Sequence, residues 1–308
     1  MRAISTWVQA ARPLAQVNIA LPVLFGAALA WAWSGALAVG WLIVALLLGV
    51  LTHLVIVFAN DVADEDGDRD NELFNFASGG SRVLVEGKLE RAALARAAVA
   101  LAVVLVLACT AIGLVFGRPL LITFAFAAIG LTWAYGFRPL ALAYRGYGEA
   151  VQGIGCGVVL PLMGWVTQQG GVEGFPWLAL VPAFVLGVAS NITTALPDAP
   201  ADAAAHKHTW PVRFGSRRAR KHSLQLVAIG TLLTPVVLPG LSHAGLAMVK
   251  ILPALALLLN LRGLRSADAE NRSACRRFVL LNALAIQLVL VAWIAVLAIE
   301  PSALSATP

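Results

Sequence analysis

The feature that most restricts what this chain can fold into is a repeated one: apolar runs long enough to cross a bilayer recur along its whole length. A hydrocarbon core of roughly 30 Å takes ~20 helical residues. About nine stretches approach that length, at 14–33, 37–58, 92–116, 120–137, 147–166, 176–196, 224–238, 246–261 and 278–299. Of the 308 residues, 60% are apolar and 12% charged, against roughly 25% charged in soluble domains. The expected fold is therefore all-α. It is one integral membrane bundle of about nine transmembrane helices, residues 1–308 forming a single domain, with cytoplasmic loops capping one end. Pro235, Pro239 and Pro253 make the seventh and eighth runs the least regular.

The charges give a topology. Cytoplasmic loops collect Lys and Arg, and an inside N-terminus carrying Arg2 and Arg12 fixes which connections are cytoplasmic. Those connections hold Arg69, Arg82, Lys88 and Arg91, then Arg138 and Arg145, then the basic runs 207–221 and 262–277. Only Arg118 and Lys250 fall on the other side. The net charge of +6 and pI near 9.7 thus reflect membrane orientation and not a nucleic-acid partner. The expectation is a multi-pass protein of the inner (cytoplasmic) membrane, its N-terminus and polar loops facing the cytoplasm. The first run is long, follows Arg12-Pro13 and feeds directly into the second, so it is expected to be retained and not removed as a leader. Cys109, Cys156 and Cys275 show no CxxC spacing and are expected to be packing residues.

Two acidic clusters lie where spans surface. Asn60, Asp61, Asp64 and Asp68 end the second span, and Asp198 and Asp202 end the sixth, four spans later and in the same orientation. That weak internal repeat places both clusters at one membrane face. Steps of three and four line one side of a helix end. Five aspartates between positions 61 and 70 repel one another unless a cation neutralises them. Hard oxygen ligands favour Mg²⁺, which is usually held by a few carboxylates together with oxygens of a phosphorylated substrate. The pattern implies a diphosphate held at a membrane surface; a solvated acidic loop and a capped helix start are the plainer alternatives.

Basic and polar residues accompany the clusters. The run Ser78 to Arg82 offers small residues, backbone N–H groups and a guanidinium, and Lys207 follows Asp202 among His206, His208 and Arg213. His53 shares a helical face with Asn60, as Asn191 does with Asp198. Tyr135, Arg138, Tyr144, Arg145, Tyr147 and Glu149 place aromatics and charges at the mouth of the bundle, where an interfacial aromatic belt is the plainer reading. Arg145 and Glu149 are candidates for orienting a polar or anionic ring. No Asp or Glu lies mid-span, unlike the usual ion-coupled transporter.

These segments resemble those of the UbiA-type intramembrane prenyltransferases. The similarity runs over nearly the whole chain, through Arg12-Pro13, NDVADEDGD, SGGSRVLVEG, AYRGYGE and DAPADAAAHKHTWPVRFG. The resemblance implies a nine-helix bundle in which Asp61, Asp64 and Asp68 bind one Mg²⁺ and Asp198 and Asp202 a second. Arg82 and Lys207 would hold the diphosphate, with Asn60, Tyr144, Arg145, Glu149 and Asn191 as further substrate contacts. The implied activity is Mg²⁺-dependent transfer of an isoprenyl group from an allylic diphosphate to an aromatic acceptor within the membrane. The alternative is a related terpene cyclase that ionises and cyclises the diphosphate without an acceptor. The SRVL and YRGYGE segments are most similar to the dihydroxynaphthoate polyprenyltransferase branch, which makes menaquinone precursors. The chain departs from that branch at Pro197, before Asp198, and at His206 and His208, which flank Lys207 where G-K-R-T is usual. An allylic cation needs an electron-rich, dry wall, for which Trp133, Tyr135, Phe137, Tyr144 and Trp165 are the candidates.

Overall fold

The computed structural model describes residues 2–69, 71, 80–261 and 272–304. A first helix, α1 (Arg2–Ala11), lies ahead of the bundle. Arg12 then adopts a left-handed conformation (φ 45°) that turns the chain through a 3₁₀ turn, Pro13–Gln16, into α2 (Val17–Ser34). The chain continues through α3 (Val39–Ala63), the short α4 (Glu65–Arg69), α5 (Arg91–Phe116) and α6 (Leu120–Gly136). The fifth run is one rod of three parts: α7 (Gly148–Ile154), a π-helical turn at Gly155–Val159, and α8 (Leu160–Gln169). Then come α9 (Leu180–Ala195), the capping helices α10 (Ala199–Ala204) and α11 (Trp210–Phe214), α12 (Ser216–Leu232) and α13 (Thr234–Val237). The last rods are α14 (His243–Leu261) and α15 (Arg272–Ile299).

Each of the nine apolar runs coincides with helix. Among the described residues seven segments are long and apolar enough to cross a bilayer, and α6, of 17 residues, is apolar but shorter. The seventh run is the exception in kind. Basic residues occupy the first turns of α12, and the rod breaks before Pro235, whose ring has no N–H to continue the ladder. Ile43, Leu47, Val103, Leu107, Phe126, Leu255 and Leu284 are exposed on the outside of the bundle. So continuous an apolar surface is the signature of a wall that faces lipid.

Close crossings set the core. A side chain at Gly26 would collide with the Pro161 carbonyl, and one at Gly164 with the Val23 carbonyl, so two glycines let α2 and α8 meet backbone to backbone. Around that crossing Phe25, Leu29, Trp165 and Trp293 are fully buried, Phe25 and Trp293 with ring centres 5.3 Å apart. At one end of the bundle the Arg118 guanidinium donates to the carbonyls of Thr167 (2.9 Å) and Gln168, and Ser242 donates to Glu300 (2.7 Å). The opposite end gathers the C-terminal ends of α3 and α9 and the caps that follow them.

Candidate active site

A cavity of about 270 Å³ opens at that second end. It is lined by the C-terminal turns of α3 and α9, by α2, α6 and α7, and by the caps α4 and α10. Asn60, Asp61, Asp64, Asp68, Asp198, Asp202 and Lys207 all face it. Below this polar rim the walls turn apolar, with Ile19, Ile56, Leu131, Val159 and Leu160 running into the bundle.

Local structure fixes each carboxylate. The buried Asp61 accepts the backbone N–H of Ser81 at 3.1 Å and the Ser81 hydroxyl, which pins the chain after position 80 against α3. Gly80 has φ 68°, and a side chain there would strike the Asp68 carboxylate, so the backbone approaches the acidic cluster as only glycine allows. Asp64 accepts the Lys207 ammonium at 2.9 Å and the Tyr144 hydroxyl at 3.2 Å. Asp198 accepts the Asn71 amide at 2.6 Å, and Asp202 accepts the Thr209 hydroxyl at 3.0 Å with Lys207 3.8 Å away. Lys207 also stands 5.5 Å from the Tyr144 ring centre and 5.9 Å from that of Tyr135. A single buried cation thus joins the two acidic motifs.

The crowding has an electrostatic consequence. Burial, then the charges of Asp64, Asp198 and Asp61, push the Asp68 carboxyl up to about 7. Burial raises Asp202 to about 7 and Asp198 to about 6, with Lys207 opposing both. Burial alone would lower Lys207, but Asp64, Tyr135 and Asp202 outweigh it and hold the ammonium well above its ordinary value. Tyr144 is pushed up to about 12 by burial and by Asp64, so its hydroxyl stays a donor. Burial is the leading cause for each of these carboxyls, and a bound cation would favour their ionised forms. The donor set is all oxygen, the chemistry of Mg²⁺. Among the described residues no three acidic, His or Cys side chains converge tightly enough to enclose an ion by themselves.

Other candidates fall elsewhere. Arg82, at φ 66°, directs its guanidinium to the carbonyls of Asp68 (2.6 Å) and Asn71 (3.3 Å), and its side chain does not line the cavity. Arg145 lies in the turn before α7 and donates to the Pro139 carbonyl at 2.6 Å. Glu149 is buried and accepts the Trp210 backbone N–H at 2.6 Å. Arg145 precedes α7, which starts only at Gly148, so its i, i+4 spacing to Glu149 does not lie within one helix and the two do not converge on a common ligand position. His206 and His208 are exposed and do not line the cavity, and Asp66 is likewise exposed. Ser78, Gly79 and Asp70 lie outside the described residues. Of the aromatic candidates, Tyr135 and Tyr144 face the cavity; Trp165 packs on Phe175, Phe137 packs with the apolar cluster beside α3, and Trp133 is exposed. Of the three cysteines, Cys109 and Cys275 are buried, whereas Cys156 borders the cavity. Sequence reasoning passed over Arg12, Asn71, Gln152, Ser190 and Thr209 as site residues, although the first four line the cavity and Thr209 both lines it and bonds Asp202. Gln152 and Ser190 did carry a signal, as uncharged polar residues within apolar runs.

Fold and site together define an all-helical membrane protein with a carboxylate-lined cavity at one end of the bundle. Residues 19–286 match the UbiA prenyltransferase family, and the chain belongs to that family. It is 31% identical over 243 residues to a 1,4-dihydroxy-2-naphthoate octaprenyltransferase of Mycobacterium tuberculosis, covering 77% of this chain and 80% of the relative. A protein of the same description from Mycobacterium leprae is 30% identical over 257 residues, covering 81% and 83%. A UbiA homolog from Archaeoglobus fulgidus, solved with GPP and Mg²⁺, shares the fold with a TM-score of 0.64 at 18% identity, over 93% of this chain and 99% of that one. The apo UbiA homolog from Aeropyrum pernix K1 gives 0.65 at 18% identity, over 89% and 97%.

Proposed function

We propose that this protein transfers an isoprenyl group from an allylic diphosphate to a dihydroxynaphthoate-type aromatic acceptor, with Mg²⁺ at the aspartates, at the cytoplasmic face of the membrane. The observation that carries this reading is the junction of the two acidic motifs around Lys207, at the head of a cavity with an apolar interior. It is supported by family membership and by the relatives described as 1,4-dihydroxy-2-naphthoate octaprenyltransferases.

The roles follow from position. Asp61, Asp64 and Asp68 on one side and Asp198 and Asp202 on the other would hold Mg²⁺, which supplies charge neutralisation of the leaving diphosphate. Lys207 adds a fixed positive charge to that pole, already oriented by Asp64 and Asp202. Ser81 and Asn71 hold Asp61 and Asp198 in place. The allylic C–O bond breaks, and its electron pair leaves with the diphosphate. Tyr135 and Tyr144 present electron-rich rings near the developing cation. An acceptor ring carbon donates a π pair to form the new C–C bond and then loses a proton, whose bonding pair returns to the ring and restores aromaticity. The apolar walls receive the isoprenoid tail and exclude water, which would otherwise intercept the cation as an alcohol.

The test is to incubate the purified protein with Mg²⁺, allylic diphosphates of several lengths and 1,4-dihydroxy-2-naphthoate, reading products by mass. A prenylated naphthalene product that requires the acceptor is expected. Cyclic hydrocarbon or terpene alcohol formed at full rate from the diphosphate alone would replace this reading with that of a cyclase.

A further inference from the structure

Beyond the carboxylates the cavity holds a second, uncharged polar patch. Asn191, only 4% exposed, donates to Gln152 Oε1 at 2.7 Å and to the Tyr135 hydroxyl at 3.3 Å. Gln152 reaches Ser190 only at 3.5 Å, the limit of a hydrogen bond. All four residues line the cavity, and they come from three elements, α6, α7 and α9. Within an apolar bundle such groups are costly unless paired. Here the pairing is incomplete: the side-chain carbonyl (Oδ1) of Asn191 and the Tyr135 O–H proton have no partner among the described residues, the Asn191 backbone carbonyl being taken by Thr194. The patch is also placed next to the reacting pole, since the Tyr135 ring that Asn191 touches lies 5.9 Å from the Lys207 ammonium.

An isoprenoid tail has nothing to offer these groups and would leave them unsatisfied. A hydroxylated ring supplies what they lack, a donor for the Asn191 carbonyl and an acceptor for the Tyr135 hydroxyl. Being neutral, the patch reads a phenolic hydroxyl without burying another charge. We infer that Gln152, Asn191 and Tyr135 form the acceptor subsite, which orients the ring through a hydroxyl and sets its edge against the first carbon of the allylic chain. This rests on the prenyl-transfer reading above. It assigns acceptor recognition to the wall of α7 and α9, where sequence reasoning had looked to Arg145 and Glu149.

The experiment uses the near-isosteric variants Gln152→Met and Asn191→Leu of the full chain. Initial rates are measured against 1,4-dihydroxy-2-naphthoate and against the allylic diphosphate, and naphthoates lacking one ring hydroxyl serve as competitive inhibitors. Asn191→Leu removes a hydrogen bond to the acceptor and Gln152→Met removes the carbonyl that orients the Asn191 amide, and each should raise the acceptor KM about tenfold. The diphosphate KM should stay within twofold, and the variants should lose the wild type's preference between hydroxylated and hydroxyl-deleted inhibitors. Gln152 is only half-buried, so its variant keeps the test open if Asn191→Leu fails to fold. An acceptor KM unchanged in Gln152→Met, or both KM values rising together, overturns the subsite while leaving prenyl transfer intact. A wild-type protein that forms no acceptor adduct removes the parent reading and the subsite with it.

Discussion

Lys207 stands between carboxylates from both motifs, 2.9 Å from Asp64 and 3.8 Å from Asp202, and few substitutions should disturb the site more. Replacing it by Met leaves buried carboxylates without their counter-charge, so turnover should fall about a hundredfold or more and Lys207→Arg should recover only part of it. Asp61→Ala and Asp198→Ala should each cost a similar factor in product formation while the protein still inserts and folds, because on the proposed reading they remove Mg²⁺ ligands and not core packing. The raised carboxyls also predict how the metal-free protein responds to pH. Asp68 and Asp202 near 7 and Asp198 near 6, against an ordinary 3.8, mean that the folded state binds more protons than the unfolded state between about pH 4 and 7. Stability therefore falls as pH rises through that window, by up to about 1.4 kcal/mol per group per pH unit. The raised Lys207 adds nothing there, since its shift acts above 10.5. In EDTA the detergent-solubilised protein should lose Tm from pH 5 to pH 8, and millimolar Mg²⁺ should flatten the slope by binding the ionised carboxylates. A Tm that rises with pH in EDTA would contradict the picture. These residues were legible in the sequence because acidic side chains at helical spacing beside a long apolar run have few other uses. Of the subsite amides, Asn191 stood out by sharing a helical face with Asp198, whereas Gln152 was far less legible: without the neighbours on two other helices, a lone Gln within an apolar run reads as a packing residue as readily as a contact.

At the scale of elements, the α2–α8 crossing carries the wall that the cavity leans on. Gly164 and Gly26 admit no Cβ against the opposing carbonyls, so Gly164→Ala must push the helices apart, at a cost of about 1–3 kcal/mol. Gly130, mid-helix in α6, has nothing within 4 Å of where a Cβ would sit. Gly130→Ala should be neutral or stabilising by up to about 1 kcal/mol, since Ala is the better helix former. Thermal unfolding of the two variants side by side checks this, and equal Tm values would mean the crossing is looser than it looks. Elements differ in how far the sequence foretold them. Apolar length alone marks the long rods. The π turn at Gly155–Val159 has no sequence periodicity of its own, and at Gly157 it lies close against the Phe184 backbone of α9. The start of α7 at Gly148 was equally hidden, and with it the separation of Arg145 from Glu149, because an i, i+4 spacing carries meaning only inside one continuous helix.

For the whole molecule, one asymmetry connects charge, site and membrane. The end bearing the cavity carries Arg12, Arg69, Arg82, Lys88, Arg91, Arg138, Arg145 and the basic first turns of α12, while Arg118 marks the other end, hydrogen-bonded to the carbonyls of Thr167 and Gln168. On the proposed reading, an inside-positive bilayer orientation would set the aspartates at the cytoplasmic face and leave the apolar interior of the cavity within the membrane for the tail. The ends are far enough apart to be distinguished by chemistry on intact cells. In a chain with Cys109, Cys156 and Cys275 replaced by Ala, a single cysteine at the exposed Lys88 should resist a membrane-impermeant maleimide until the cells are opened, whereas one at Gly171, in the turn after α8, should react from outside. Labelling of Lys88→Cys in intact cells, with Gly171→Cys protected, would invert the topology. The aspartate-lined end of the cavity would then face away from the cytoplasm, and the proposed cytoplasmic supply of diphosphate would have to be abandoned even if the enzymology held.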